Sequence, residues 1–395
     1  MVTVKRPGVY VDQVSTRQIA GRPSSINTEA AFVGVVDYGP VGPVYVPSWS
    51  QFQTTYGAWA YSPSGEYLPY SVYMYFGAGA SGCWISRVVS STAVLASRTV
   101  LAAADNARLF TVKAISPGAW GNSLRLSTVK MGAAGSGLFD LIIGRDGAGG
   151  EQAVARHNNL SLNPSSTRFA PKVINGGSSV IIITDYEPLL GSTVPADVAE
   201  VASSPFSGGS AGGSIQTADY TDALDRLFTV GSSLVVNVPG STDPMVNSFI
   251  AGAPSRGVKV FGVCDLPSGL TTAESIRSAA ETNVTHSANL AVYYPWIKIK
   301  DPTVTSPGST AVIPPGGAVV GQYISMSQTY GVHRTPAGLG TSFPGAIGLE
   351  NPLTLGMLDV LQDSNINAIR QIPGSGVVIM GGRTHSDNPE LQRSE

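Results

Sequence analysis

Leu234-Val235-Val236-Asn237-Val238, a short run of β-favouring residues closed by Pro239-Gly240, decides the fold. So short and apolar a run reads as a buried strand. Upstream, Tyr220, Ala223, Leu224, Leu227 and Phe228 recur at the spacing of an amphipathic helix, with Asp222 and Arg226 placed to pair on its exposed side. Downstream, residues 258–263 read as another strand, 272–281 as a helix and 290–294 as a further strand. Val319, Val320, Tyr323, Ile324 and Ser327 make one more helix face. Strands alternating with helices imply a mostly parallel sheet covered by helices.

Towards the N-terminus, Ala30-Ala31-Phe32-Val33-Gly34-Val35-Val36 is a buried strand, ended by a loop with Gly39-Pro40 and Gly42-Pro43. Leu68, Val72, Tyr75 and Phe76 follow at helical spacing, and 83–89 reads as a strand. Residues 7–14 favour an extended conformation, and 15–28 are polar, with Arg17 and Arg22, in the manner of a flexible arm. Between about 90 and 213 the pattern changes to short alternating segments, such as 109–114 and 139–143, separated by glycine-rich turns. That stretch ends in a Ser/Gly-rich linker, 203–214. The expected architecture is an α/β core with a mainly β inserted domain. Its parts are an arm (1–28), a first core part (29–90), a protruding β insertion (91–213), an α/β middle domain (214–300) and a second core part (301–395) packed on the first. One sheet is expected to join 31–36, 83–89 and 377–380.

The 395 residues are 43% hydrophobic but only 13% charged, against about a quarter in ordinary soluble domains. Two readings fit: many loops, or a surface covered by neighbours, where charge is costly to desolvate. A net charge of -2 offers no basic field for nucleic acid. The start of the chain has no apolar secretory h-region. No apolar run approaches the ~18 residues of a membrane span, so no membrane insertion is expected. Cys83 and Cys264 each sit in an apolar run and are expected as buried free thiols in adjacent strands. No clustered ligand set for a metal and no cofactor motif survives scrutiny.

Two patterns imitate catalysis. Gly77-Ala78-Gly79-Ala80-Ser81-Gly82 fits G-x-G-x-x-G, but a helix precedes it and a strand follows, the reverse of a dinucleotide loop. Gly208-Gly209-Ser210-Ala211-Gly212 fits G-x-S-x-G without the strand–turn–helix of a nucleophile elbow, and reads as a flexible loop. His157, His286, His333 and His385 are scattered and read as surface or capping residues. Asn159-Leu160-Ser161 and Asn283-Val284-Thr285 match a glycosylation sequon that has no meaning without secretion. Catalytic, cofactor and metal residues are all expected to be none, and the chain is expected not to be an enzyme.

Three C-terminal segments carry a resemblance instead: Tyr293-Tyr294-Pro295-Trp296, Ile313-Pro314-Pro315-Gly316-Gly317 and Gly331-Val332-His333-Arg334-Thr335-Pro336-Ala337. With Pro7-Gly8-Val9-Tyr10-Val11, Ala31-Phe32-Val33-Gly34, Trp84-Ile85-Ser86-Arg87-Val88, Pro117-Gly118-Ala119-Trp120-Gly121-Asn122 and Asn159-Leu160-Ser161-Leu162-Asn163-Pro164, their order resembles that in contractile tail sheath proteins. Val238-Pro239-Gly240, Cys264-Asp265-Leu266-Pro267, Asn365-Ile366-Asn367-Ala368-Ile369-Arg370 and the stretch from Gly376 to Thr384 extend the resemblance. Phage tails, type VI secretion and extracellular injection systems share this core.

The resemblance implies a subunit that polymerises helically, as six-fold rings, around an inner tube and contracts to drive the tube through a cell envelope. It implies partners in itself, a tube protein, and baseplate and tail terminator proteins. The implied location is a virion tail or injection-system particle assembled in the bacterial cytoplasm. Pro7, Gly8, Val9, Tyr10 and Val11 would be the arm that adds a strand to a neighbour's sheet. Tyr294, Pro295, Trp296, Pro314, Pro315, Gly331, Pro336, Arg370 and Arg383 would be the core motif. Related sheaths continue beyond the position of Arg383-Thr384 into a tube-facing segment, so the 395-residue chain is expected to be mainly monomeric alone. The alternatives are a static virion or injection-system part, such as a tube or baseplate protein, and a cytosolic α/β hydrolase.

Overall fold

The computed structural model describes residues 28–57, 66–147, 149–186, 197–231, 233–241, 244–304, 306 and 308–392. The arm residues Pro7, Gly8, Val9, Tyr10 and Val11 lie outside them. In chain order the first strands are β1 (Glu29–Val35), β2 (Val44–Val46), β3 (Cys83–Val88), β4 (Ser97–Leu101), β5 (Arg108–Ala114) and β6 (Leu124–Met131). Next come β7 (Leu138–Gly147), β8 (Gly150–Ser161), β9 (Ile181–Thr184), β10 (Val201–Pro205), β11 (Ser233–Asn237) and β12 (Lys259–Asp265). The last are β13 (Leu290–Tyr294), β14 (Ile297–Lys300), β15 (Thr310–Ile313), β16 (Ala346–Leu349), β17 (Ile366–Ile372) and β18 (Gly376–Ile379). The helices are α1 (Trp49–Tyr56), α2 (Leu68–Gly77), α3 (Ala170–Gly177), α4 (Thr217–Arg226), α5 (Pro244–Gly252), α6 (Ala273–Asn283), α7 (Gly316–Tyr330) and α8 (Leu355–Asp363).

The chain divides into two units. The larger takes its residues from before Asp37, from Val41–Val88 and from Thr217 onward; the smaller takes Asp37–Pro40 and Val89–Gln216. In the larger unit one sheet runs β18-β17-β13-β12-β11-β1-β3-β2. Its six inner strands are parallel, and β2 and β18 are antiparallel edges. Counting only the parallel strands along the chain, the spatial order is 2-1-3-4-5-6, that of a doubly wound sheet. Residues 214–300, expected as a separate middle domain, supply three central strands of this sheet. Ladder pairing, not chain order, sets the unit.

Alternation along β3 shows how both faces are covered. Ile85 joins the core of α1, α2 and α7 residues, while the next residue, Ser86, donates its hydroxyl to Ala223 O of α4 at 2.6 Å. Strands buried on both faces read as continuous apolar runs, which is why β1, β11 and β13 were visible in the sequence. The antiparallel sheet β15-β14-β16 adds Ile297, Ile299, Ala311, Ile313 and Leu349 to the same core. Edge β18 is covered by a loop: Phe343 N and Gly338 N donate to Val377 O and Ile379 O at 2.9 and 2.8 Å. Thr341 Oγ1 accepts from Ile379 N at 3.0 Å. Nothing in the sequence pattern announced that cover.

Two further expectations are corrected here. Cys83 and Cys264 are buried and free, but β1 and β11 separate their strands, so they are not adjacent. Arg226 does not pair with Asp222; its guanidinium donates to Val41 O in the loop before β2 and to Arg87 O near the end of β3, at 3.2 and 3.3 Å, two backbone carbonyls on the inner side of the helix.

The smaller unit is two sheets, β10-β6-β7-β8 and β4-β5-β9, whose inner faces meet at Phe110 and Phe139, with α3 closing one end. The Ser/Gly stretch 203–214 is not a loose linker. It begins as β10, buries Phe206, and pairs Ser207 with Ser97 and Ser210 with Val94. Asn122, from the Pro117–Asn122 motif, exchanges both amide hydrogen bonds with Gly209 at 2.8 Å. Serine and glycine at these positions serve close backbone approach: a Cβ at Gly209 would lie 2.7 Å from Gly118 O.

Helix α7 lies unusually close to α2. A Cβ at Gly321 would come within 2.7 Å of the Ala78 Cβ and 2.8 Å of Tyr75 O, and one at Gly317 would run into the Ser71 backbone. The expected result is that Gly317→Ala destabilises the larger unit by about 3 kcal/mol. Gly356→Ala, on α8 with open space around it, should be neutral or slightly stabilising. Urea denaturation of the two variants checks this contrast.

Candidate functional site

The C-terminal motifs converge on one buried carboxylate. Asp265 ends β12 and is 0% exposed. Its Oδ1 accepts from Gly316 N, the first residue of α7, at 2.6 Å. Its Oδ2 accepts from Gly240 N at 3.1 Å and from Asn237 Nδ2 at 3.3 Å. Asn237, the last residue of β11, also donates to Val263 O at 2.8 Å. Part of the expected sheath-type motif, Tyr294, Pro295, Trp296, Pro314 and Pro315, lies around this point. Pro314 and Pro315 are buried and turn β15 into α7, with Pro315 as its N-cap. Gly316 follows because a side chain there would collide with the Asn237 amide.

Tyr294 and Trp296 hold the adjoining strand ends. Trp296 Nε1 donates to Leu266 O at 2.6 Å, and its ring stands edge-on to Tyr67 at 5.0 Å. Tyr67 in turn lies 3.0 Å from where a Gly240 Cβ would be, and Gly240 has φ +73°. Tyr294 Oη donates to Leu270 O and accepts from Asn351 Nδ2. Pro295 follows Tyr294 through a cis peptide bond.

In doubly wound sheets the crevice beyond the carboxyl ends of the strands, beside the reversal of strand order, is where ligands bind, often against a helix N-terminus. Here that place is filled from within. Asp265 caps the start of α7 as a phosphate would, and Gly316 and Gly317 bring the helix backbone onto Asn237 and Ser71. The arrangement fastens strands to a helix, and both carboxylate oxygens accept from groups of the chain itself.

The remaining motif residues gather elsewhere. Gly331, φ +100°, caps the C-terminus of α7, and Pro336 is buried. Arg383 is fastened by its backbone: its N–H donates to Asn367 Oδ1 and its carbonyl accepts from Asn367 Nδ2, both at 2.7 Å. Arg370 is half-buried on β17 at the edge of a cleft, away from Asp265. Among the described residues no group of three His, Cys, Asp or Glu could hold a metal ion. Gly77–Gly82 is a helix-to-strand turn between α2 and β3, and Ser210 of the G-x-S-x-G match is an extended residue bridged to Val94.

One histidine departs from expectation. His385 is 1% exposed and stacks on His286 with ring centroids 4.5 Å apart, and His286 Nδ1 lies 3.1 Å from Asp387 Oδ1. Residues a hundred positions apart meet because Ser287 and His385 bridge the strand end: His385 N donates to Leu290 O and Ser287 N to His385 O, each at 2.7 Å. No local pattern could have shown this.

Two opposite pH responses follow. Burial pushes the Asp265 carboxyl from 3.8 up to about 6, against its three donors. The folded chain therefore holds this proton more tightly than the unfolded chain. The resulting stabilisation is full below about pH 4 and is lost as pH rises through about 6, up to roughly 3 kcal/mol. Asp265→Asn should flatten that slope while lowering stability by about 2 kcal/mol, since an amide NH2 must face one of the donors. Burial, then the neighbouring His286, lowers the His385 imidazole from 6.5, with Asn365 O and Asp387 opposing. The unfolded chain then takes up protons first, so docking of residues 384–392 weakens as pH falls below 6.5. His385→Phe should abolish that loss, read by amide exchange at Thr384 and at the backbone amide of position 385, corrected for intrinsic rate.

No family model matches the sequence, and no curated protein matches it. Among solved structures, a sheath tail protein from Listeria innocua superposes with a TM-score of 0.63 at 12% identity, covering 93% of this chain and 72% of that one. A sheath tail protein from Desulfitobacterium hafniense superposes with a TM-score of 0.56 at 13% identity, covering 98% of this chain and 79% of that one. At these identities the likeness is one of fold. Over nearly all of its length, this chain has the α/β, multi-sheet fold of the sheath tail proteins.

Proposed function

We propose that the chain is a structural subunit of a contractile tail sheath, which polymerises helically around an inner tube and contracts to drive it through a target envelope. One observation carries the reading, the fold likeness to sheath tail proteins over nearly the whole chain, and the packing of the α7 start onto Asp265 at the strand ends agrees with it. The work of such a subunit lies in contacts between copies. Energy is released when one lattice of contacts is exchanged for another, a two-state packing change that needs no bond-making chemistry. A charged content of 13% suits a surface that neighbours cover.

In this reading the subunit's partners are further copies in six-fold rings, a tube protein, and baseplate and terminator proteins, within a phage tail or injection particle. Pro7, Gly8, Val9, Tyr10 and Val11 join neighbouring subunits by strand addition. The protein is not an enzyme.

Immunogold electron microscopy of the native particle, with antibody to this chain, tests the reading. Label along the outside of the tail, shortening with the sheath on contraction, is expected, together with naked tubes when the gene is deleted. Label confined to a baseplate, or intact contractile sheaths in the deletion, would overturn it in favour of a static part.

A further inference from the structure

We propose that the cleft beside Arg370 receives the Pro389–Leu391 turn of a second copy of this chain. The cleft, about 480 Å³, is of mixed character: Leu349, Pro352, Leu353, Ile372 and Pro373 line it together with the polar Arg370 and Gln371. Arg370 has no ion-pair partner among the described residues. A half-buried guanidinium beside these apolar side chains calls for an anion next to an apolar group. The chain presents such a pair on a fixed turn: Glu390, exposed and without an ion-pair partner among the described residues, next to Leu391, 51% exposed. The turn is held by Asn388 Oδ1, which accepts from Glu390 N at 3.0 Å, and by Thr384 N, which donates to Gln392 O at 2.9 Å.

Their positions decide the occupant. The cleft lies where β17 ends and turns into β18, at the carboxyl end of the parallel sheet. The turn is tied through His385 to Leu290 and through Ser386 to Asn365, at the amino ends of β13 and β17. The length of β17 puts them about 20 Å apart along the strands, so one copy cannot fill its own cleft. Two different surfaces at opposite ends of the strands make a head-to-tail contact that can repeat from copy to copy. The inference rests on the polymerising role proposed above and names one contact within it.

The test uses full chains carrying one added cysteine each; the native Cys83 and Cys264 are buried and do not compete. Pro352→Cys is mixed with Leu391→Cys under mild oxidation. The expected result is a disulfide-linked pair in roughly tenfold excess over a Pro352→Cys with Val94→Cys control, falling as salt is raised. Arg370→Glu in the cleft copy should remove the excess, and Glu390→Arg in the other copy should restore it. Arg370→Gln, checked for an unchanged melting curve, stands in if the glutamate variant misfolds. No excess over the control, or an excess indifferent to both charge changes, overturns the proposal. Sheath labelling of the native particle alongside such a result would leave the sheath role standing without this contact. Cross-linking without labelling would do the reverse.

Discussion

A carboxylate with no cation and no water-facing side holds the larger unit together. Asp265 is fully buried, and three N–H donors from two separate parts of the chain, the end of β11 with its turn and the start of α7, converge on it. Removing a charge or an acid from water is costly unless its lone pairs are met. The turn after β11, the end of β12 and the start of α7 must therefore keep their relative positions for the group to be tolerated at all. The Pro314-Pro315-Gly316-Gly317, Val238-Pro239-Gly240 and Tyr294-Pro295-Trp296 segments are parts of one joint.

The same economy recurs in side-chain amides. Asn122 clasps the Gly209 peptide, Asn367 the Arg383 peptide and Asn175 the Ile183 peptide, each accepting an N–H and donating to a carbonyl. A primary amide carries the donor and acceptor of a backbone unit and completes an irregular segment where no ladder reaches it. Glycine serves the complementary need. Gly317 and Gly321 let α7 lie on the α2 backbone, so the two helices meet with almost no side chain between them. The chain carries few charges, and most ion pairs among the described residues join exposed or half-exposed side chains, where they contribute little; the buried Asp140, paired with Arg156, is an exception.

These devices bear on the proposed sheath role. A subunit that changes neighbours must keep its own interior unchanged, and a sheet covered on both faces, with its own helix in the ligand crevice, supplies a body of that kind. What is left to vary is the surface, including edge strand β2, whose Tyr45 is 43% exposed. The His286–His385 stack sits where the last described segment leaves the sheet.

The alternation of buried strands with amphipathic helices was legible in the sequence, because strands buried on both faces must be apolar throughout and helices half-covered must show their period. So was the mainly β character of the stretch near 90–213, from its short segments and turns, and the mimicry in Gly77–Gly82, from the helix before it and the strand after it; the G-x-S-x-G match, read as a loop with no strand before it, in fact follows β10. The covered edge of β18, the separation of Cys83 from Cys264, the ordering of the Ser/Gly stretch and the meeting of His286 with His385 were not. Each depends on which distant backbone groups come within about 3 Å of one another, and hydrogen bonds of that kind leave no periodicity behind. Asp265 stands between the two cases. Its motif was visible as a spelling, but only the tertiary structure brought Gly240, Asn237 and Gly316 to it, because burial without partners is forbidden and the partners lie up to 51 positions away.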